Sequence, residues 1–185
     1  MPGWVLPDGK GEGPGFTRRA MPTRRTRPTP SMQNPASSLY DELLPLLEAL
    51  DGVEQDPRYH PEGDALFHSL QVYGHACRDH ADGELLAAAL LHDVGKAVAG
   101  RDHDVAGARM LIGLPPRTRW CVAHHLDLLR APRRTRRRLR DPGQLRDLTR
   151  LRRWDLAGRV PTARVPSPEQ ALSHVVDVLC HGDRS

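Results

Sequence analysis

The sequence predicts an all-α protein. From Leu39 onward, apolar residues recur at helical spacing. The segments between them carry helix punctuation, with Asp, Ser and Pro at starts and Gly at ends. No stretch of strand alternation and no internal repeat interrupts this pattern.

The elements follow in order. A short apolar-rich helix is predicted over 38–50, ended by Asp51-Gly52. A loop with two prolines covers 55–61. A long helix runs from about 62 to 80, with Leu66, Leu70, Tyr73 and Cys77 on one stripe. The next, over 84–94, is apolar on every face through Leu85-Leu86-Ala87-Ala88-Ala89-Leu90-Leu91, the signature of a buried helix. Gly95 is expected to end it in the left-handed conformation. Asp102 is read as the cap of a helix reaching about 114. Pro115-Pro116 opens a helix to about 130, and 133–140 forms a short one. Asp141-Pro142 opens the next, to about 158, and Ser167-Pro168 opens the last with proline in its first turn.

Residues 1–37 differ in kind. They hold seven prolines and five glycines with almost no apolar periodicity, and carry a net charge of +4. Such a segment buries too little to offset its ordering entropy, so it is expected to be a disordered tail ahead of one domain at 38–185. Met32 directly precedes the first helical pattern, and translation from it is an alternative expectation. The whole chain of 185 residues is also +4, so the domain is neutral overall and its net charge alone does not mark it as a nucleic-acid binder. The longest apolar run has seven residues, well short of the roughly 18 a membrane span needs. The first twenty residues contain no apolar signal core. Three cysteines (Cys77, Cys121, Cys180), far apart and without a CxxC, suit a reducing cytoplasm.

Several titratable residues fall where only partnered ones belong. The buried 84–94 helix delivers His92 and Asp93 inside the protein, where a carboxylate needs a cation or strong donors. Asp155 falls on the stripe of Leu145, Leu148, Leu151 and Leu156. His124 shares a stripe with Trp120, Cys121 and Leu128, and His125 lies at its edge. His103 shares one with Gly107 and Met110. His68 lies opposite the Leu66–Cys77 stripe and is buried only if its helix is covered on both sides. Eight of the ten histidines lie between His60 and His125. The set His68, His92, Asp93, His103, His124 and Asp155 offers N and O donors suited to Mn, Fe, Co, Ni, Zn or Mg.

At these residues the sequence resembles the HD-domain superfamily of metal-dependent phosphohydrolases, whose pattern is H…HD…D with two further histidines in dinuclear members. Here the pattern reads His68, then His92-Asp93-Val94-Gly95-Lys96, then His103, then His124-His125, then Asp155, spanning about 53–160. Residues 52–64, Gly-Val-Glu-Gln-Asp-Pro-Arg-Tyr-His-Pro-Glu-Gly-Asp, are similar to the approach to the HD domain of bacterial tRNA nucleotidyltransferases, although the 185 residues contain no nucleotidyltransferase head. The chain also resembles free-standing bacterial HD proteins. Leu126-Asp127-Leu128-Leu129 after the His pair is not the GYP loop of cyclic-di-GMP phosphodiesterases, and Val94-Gly95-Lys96 is not the signature of ppGpp hydrolases.

The resemblance implies an HD-domain helical bundle and one or two divalent ions. His68, His92, Asp93 and Asp155 would hold the first, and His103 and His124 a second bridged by Asp93. The implied activity is hydrolysis of a phosphomonoester or phosphodiester, of a nucleotide or an RNA terminus, by a metal-activated hydroxide. Lys96 would neutralise a phosphoryl oxygen; its other reading is charge compensation at a helix C-terminus. His125 is expected to meet the leaving group, to ligate, or to pack, while His60 and Arg159 are placed on the substrate side. Asp64 is expected to cap the following helix. No obligate protein partner is indicated. A mixed-valence di-iron oxygenase on the same ligands, and a non-catalytic nucleotide- or RNA-binding module, are the alternatives.

Residues 117–159 hold fourteen arginines against four aspartates. This is either a collar for a phosphorylated substrate or RNA, or a solvated face in a chain with 25 arginines and two lysines. No aromatic residue interleaves 133–140, which disfavours a single-strand stacking platform.

Overall fold

The computed structural model describes residues 35–182. Among them nine α-helices succeed one another: α1 (Pro35–Glu48), α2 (Ala65–Arg78), α3 (Gly83–Leu91), α4 (His103–Met110), α5 (Pro116–His124), α6 (Asp127–Arg130), α7 (Pro132–Arg138), α8 (Pro142–Ala157) and α9 (Pro168–His181). A 3-10 turn, Val94–Ala97, follows α3. No strand occurs among the described residues; an isolated bridge pairs Glu54 with Asp64. The all-α expectation holds. The predicted tail lies outside the described residues except for Pro35, Ala36 and Ser37, which belong to α1.

Helix starts follow from local chemistry. Asp64 Oδ1 accepts from Phe67 N at 2.7 Å, Asp141 Oδ1 from Gly143 N at 2.7 Å, and Ser167 forms a reciprocal capping box with Gln170. Each cap contributes about 1 kcal/mol. Asp64 Oδ2 also accepts from Gly52 N at 2.8 Å, which closes the 52–64 loop.

Helix α3 is the central element. It packs against α2, α5, α8 and α9, and no residue from Leu85 to Leu91 is more than 4% exposed. Complete burial contributes about 2 kcal/mol per leucine. Helix α2 is covered on both sides, as the burial of His68 required: its Leu70 face lies in the core, while His68 and Val72 are fully buried. Gly158, at the end of α8, sits so close to Val72 that an added Cβ would come within 2.8 Å of it.

Three local expectations are corrected. The third helix stops at Leu91, and Gly95 is not left-handed: it lies in the 3-10 turn. Glycine is needed there for approach, since an added Cβ would lie 2.0 Å from the His103 carbonyl oxygen. Asp102 makes no side-chain cap bond to α4. The predicted 116–130 helix divides into α5 and α6, and the His125 side chain donates to the last-turn carbonyl of Val122 where α5 ends. No helix among the described residues is long and apolar enough to cross a membrane.

Candidate metal centre

The buried end of α3 places Asp93 at the middle of a ring of imidazoles. One oxygen, Oδ1, faces His103 Nε2 at 3.1 Å and His125 Nε2 at 3.6 Å. The other, Oδ2, faces His92 Nε2 at 3.2 Å, His68 Nε2 at 3.9 Å and Lys96 Nζ at 2.6 Å. The sets His68–His92–Asp93 and Asp93–His103–His125 each bring one donor atom per residue within 4.8 Å of the others. Asp93 belongs to both, with one oxygen turned to each.

The imidazoles are oriented by their other nitrogens. His92 Nδ1 donates to the Ala89 carbonyl at 3.0 Å, His103 Nδ1 to Gly100 at 2.7 Å and His125 Nδ1 to Val122 at 2.7 Å. His68 Nδ1 lies 3.0 Å from the Gly158 carbonyl and 2.7 Å from Glu62 Oε1. A carbonyl only accepts, so Nδ1 carries the proton and Nε2 presents its lone pair inward. Nε2 of His68, His103 and His125 are buried without a hydrogen-bond partner. Buried lone pairs aimed at a carboxylate need a cation or a proton between them. This donor set fits a divalent transition ion.

The electrostatics agree. Burial pushes the Asp93 carboxyl up, but His92 and Lys96, joined by the facing imidazoles of His103 and His125, hold it well below the ordinary range. Burial opposes protonation of His68, yet Asp155, Glu62 and Asp93 raise it to about 9. Burial lowers His92. His103 is raised: burial works against this, and Asp93 outweighs it.

A second ring supports the first. Asp155 Oδ1 lies 3.3 Å from His68 Nε2 and 2.9 Å from Arg159 Nη2, and Oδ2 accepts from Arg152 Nη1 at 2.8 Å. It faces His68 but lies outside the compact donor sets. Arg159 lines the cavity, with its guanidinium turned to Asp155 and the Tyr59 carbonyl. Lys96 is held by the side chains of Asp93 and Gln55. His60 lines the cavity and stands edge-on to His68, its Nδ1 donating to Glu62 Oε1 at 2.8 Å. The cavity above Asp93 measures about 860 Å³, with Arg101, Arg130 and Tyr59 in its lining.

His124 is not brought to this site. It is half-buried, donates from Nδ1 to Asp127 Oδ2 at 3.0 Å, and lies tilted against Trp120. His125 takes the place expected for it. The core face of α5 runs through Thr118, Cys121 and Val122, and His125 continues that spacing. Reading the stripe from Trp120, which is only half-buried, put the wrong histidine inside. The Glu62 side chain, which carried no signal in the sequence, is fully buried and its Oε1 meets both His60 and His68. Gln55 and Arg152 joined the site with no periodic signal.

Comparison with known proteins agrees with this geometry. A family model described as HD domain matches residues 66–179. The multifunctional CCA protein of Hahella chejuensis is 34% identical over 110 residues, covering 56% of this chain and 26% of that protein. That of Thioalkalivibrio sulfidiphilus is 47% identical over 60 residues, covering 32% and 15%, and that of Halorhodospira halophila 52% identical over 56 residues, covering 30% and 14%. The chain thus spans about a quarter or less of these relatives. The match across most of α2 to α9, over the helices that carry the imidazole ring, shows that the chain belongs to the HD-domain family, one of metal-dependent phosphohydrolases.

Proposed function

We propose that the chain hydrolyses a phosphomonoester or phosphodiester of a nucleotide or an RNA terminus, in a metal-dependent reaction. The observation that carries this reading is the convergence of four oriented imidazoles on Asp93 beneath an arginine-lined cavity. His68, His92 and Asp93, with Asp155 beside them, would hold one ion; Asp93, His103 and His125 would hold a second. Such an ion lowers the pKa of a bound water toward neutrality and offsets phosphoryl charge.

The chain's own residues do the rest. Lys96, at the cavity wall, neutralises a phosphoryl oxygen; its bonds to side chains favour this over helix-end compensation. Arg101, at the cavity wall, attracts the anionic substrate. His60 forms part of the substrate-side wall, and Arg159 fixes Asp155 and the Tyr59 loop. The relatives' printed name and the similarity of 52–64 to the HD domain of tRNA nucleotidyltransferases support an RNA end among the substrates. Residence in the cytoplasm belongs to the same reading and is supported by three free cysteines.

Metal analysis of the purified full chain, then a turnover screen with phosphorylated metabolites, cyclic nucleotides and RNA ends under Mn²⁺, Co²⁺, Ni²⁺ and Mg²⁺, tests it. His92→Ala and Asp93→Ala should abolish turnover and lower metal content. Absence of turnover with every metal and every substrate of the screen, or turnover indifferent to Asp93→Ala, overturns it. Oxygen uptake by the iron-loaded protein would assign the ligands to an oxygenase instead.

A further inference from the structure

We infer that helix α7 is a docking surface for the phosphate backbone of a structured RNA. Eleven of the fourteen arginines of 117–159 fall into two sets. Arg117, Arg130, Arg138, Arg150, Arg152, Arg153 and Arg159 each pair with an aspartate, and so serve the fold. Arg133, Arg134, Arg136 and Arg137 are exposed, and no carboxylate partners any of them among the described residues. A chain that simply prefers arginine for its ion pairs accounts for the first set and not for the second. Like charges one turn apart destabilise a helix, and α7 has no internal acid to offset them.

The placement of α7 is also informative. Thr135 is buried and donates to the Asp127 carbonyl at 3.0 Å, and Arg138 pairs with Asp127 Oδ2 at 2.6 Å. These bonds clamp α7 to α6, and Leu129 and Arg130 of α6 line the cavity. Four exposed arginines without a carboxylate partner are therefore carried on a helix that is fastened beside the rim. Nearby acids are already engaged, Asp127 by Arg138 and His124, and Asp141 by the cap of α8.

The complementary partner is a polyanion. Guanidinium forks match phosphate geometry, and contacts of this type fix register without reading bases. No aromatic side chain lies on α7, so bases have nothing to stack on, which favours a base-paired stem over a single strand. That the end of this RNA enters the cavity rests on the hydrolase reading; the docking itself does not.

The test is fluorescence anisotropy with the full chain and an RNA hairpin bearing a short single-stranded 3′ end, between 50 and 200 mM salt. Each phosphate contact adds roughly 0.7–0.9 to the slope of log affinity against log salt. The variant Arg133→Ala/Arg134→Ala/Arg136→Ala/Arg137→Ala should bind at least about tenfold more weakly at low salt and lower the slope by about 3. The pair Arg134→Glu/Arg137→Glu, with an unchanged circular dichroism melt, should act in the same direction. Comparison with the parent chain cancels any contribution from the basic residues 1–37. Parent-like RNA binding by both variants overturns the inference, as does equal affinity of the parent for polyglutamate of matched charge, which would assign α7 to an acidic protein. Salt-dependent binding through α7 in a protein that cleaves no phosphoester supports the docking surface and removes only the hydrolase reading.

Discussion

Gly95 and His103 meet backbone to backbone: a Cβ at Gly95 would lie 2.0 Å from the His103 carbonyl oxygen and 2.6 Å from Gly107 N. The turn after α3 and the first turn of α4 are thus pressed together, which places His103 beside Asp93. Gly95→Ala should cost about 3 kcal/mol, the upper range for forcing atoms into a packed interior. Thermal melts measure the loss, and metal content should fall with it. A fully stable, fully loaded variant would mean that the two backbones separate freely.

His125 and His124 should respond differently to removal. His125→Ala deletes an oriented nitrogen of the Asp93–His103 set and should lower affinity for a second ion at least about tenfold. His124→Ala, whose ring lies against Trp120, should leave metal stoichiometry unchanged. Elemental analysis of the two purified variants decides it; the reverse pattern would restore His124 as the inner ligand.

Metal binding should strengthen with pH. In the metal-free protein the His68 pKa is raised to about 9, so below that pH a proton occupies the nitrogen that an ion would take. Affinity should rise by up to about tenfold per unit between pH 6 and 9 and then level off. The sign for the metal-free fold is opposite. A raised imidazole pKa stabilises below the unfolded value, near 6.5, and that stabilisation is lost as pH climbs through 9. Competition titrations with a chromophoric chelator measure the first effect; affinity independent of pH in this window would contradict the assignment of His68.

Thiol reactivity should separate the cysteines. Burial pushes the Cys121 thiol up to about 12, and the residue is fully enclosed. Cys180 is exposed. At pH 8, iodoacetamide should label Cys180 while Cys121 stays unmodified until the protein unfolds. Mass mapping after a timed reaction checks this, and early labelling of Cys121 would show that the core around α5 opens.

Arg117 holds the exposed Asp82 and the buried Asp147 together, with Nε 2.7 Å from Asp147 Oδ2 and Nη1 2.8 Å from Asp82 Oδ1. Arg117→Ala leaves the Asp147 carboxylate buried without its cation and should cost about 2 kcal/mol. Chemical denaturation measures the loss. A change near zero would mean that Asp147 turns to solvent when released.

What could be read from the sequence was what local chemistry determines. The starts at Asp141-Pro142 and Ser167-Pro168 were legible because cap and proline act within one turn. The burial of Leu85–Leu91 was legible because no face of that helix is polar, and it carried His92 and Asp93 inward with it. The choice between His124 and His125 was not, since it depends on which side of α5 meets α3, a tertiary fact. Gly95 read as a terminator because composition cannot distinguish a left-handed glycine from one crowded by a neighbouring backbone. Glu62 lies between Pro61 and Gly63 in a turn, where no periodicity marks a side chain as interior.

His92, His103 and His125 share one device: each ring is tied to the carbonyl three residues before it. Every one of these side chains is thus aimed by its own stretch of backbone rather than by a bond to a distant element. A scaffold wired in this way can lose its occupant, or trade it for another of similar size, without having to rebuild its walls.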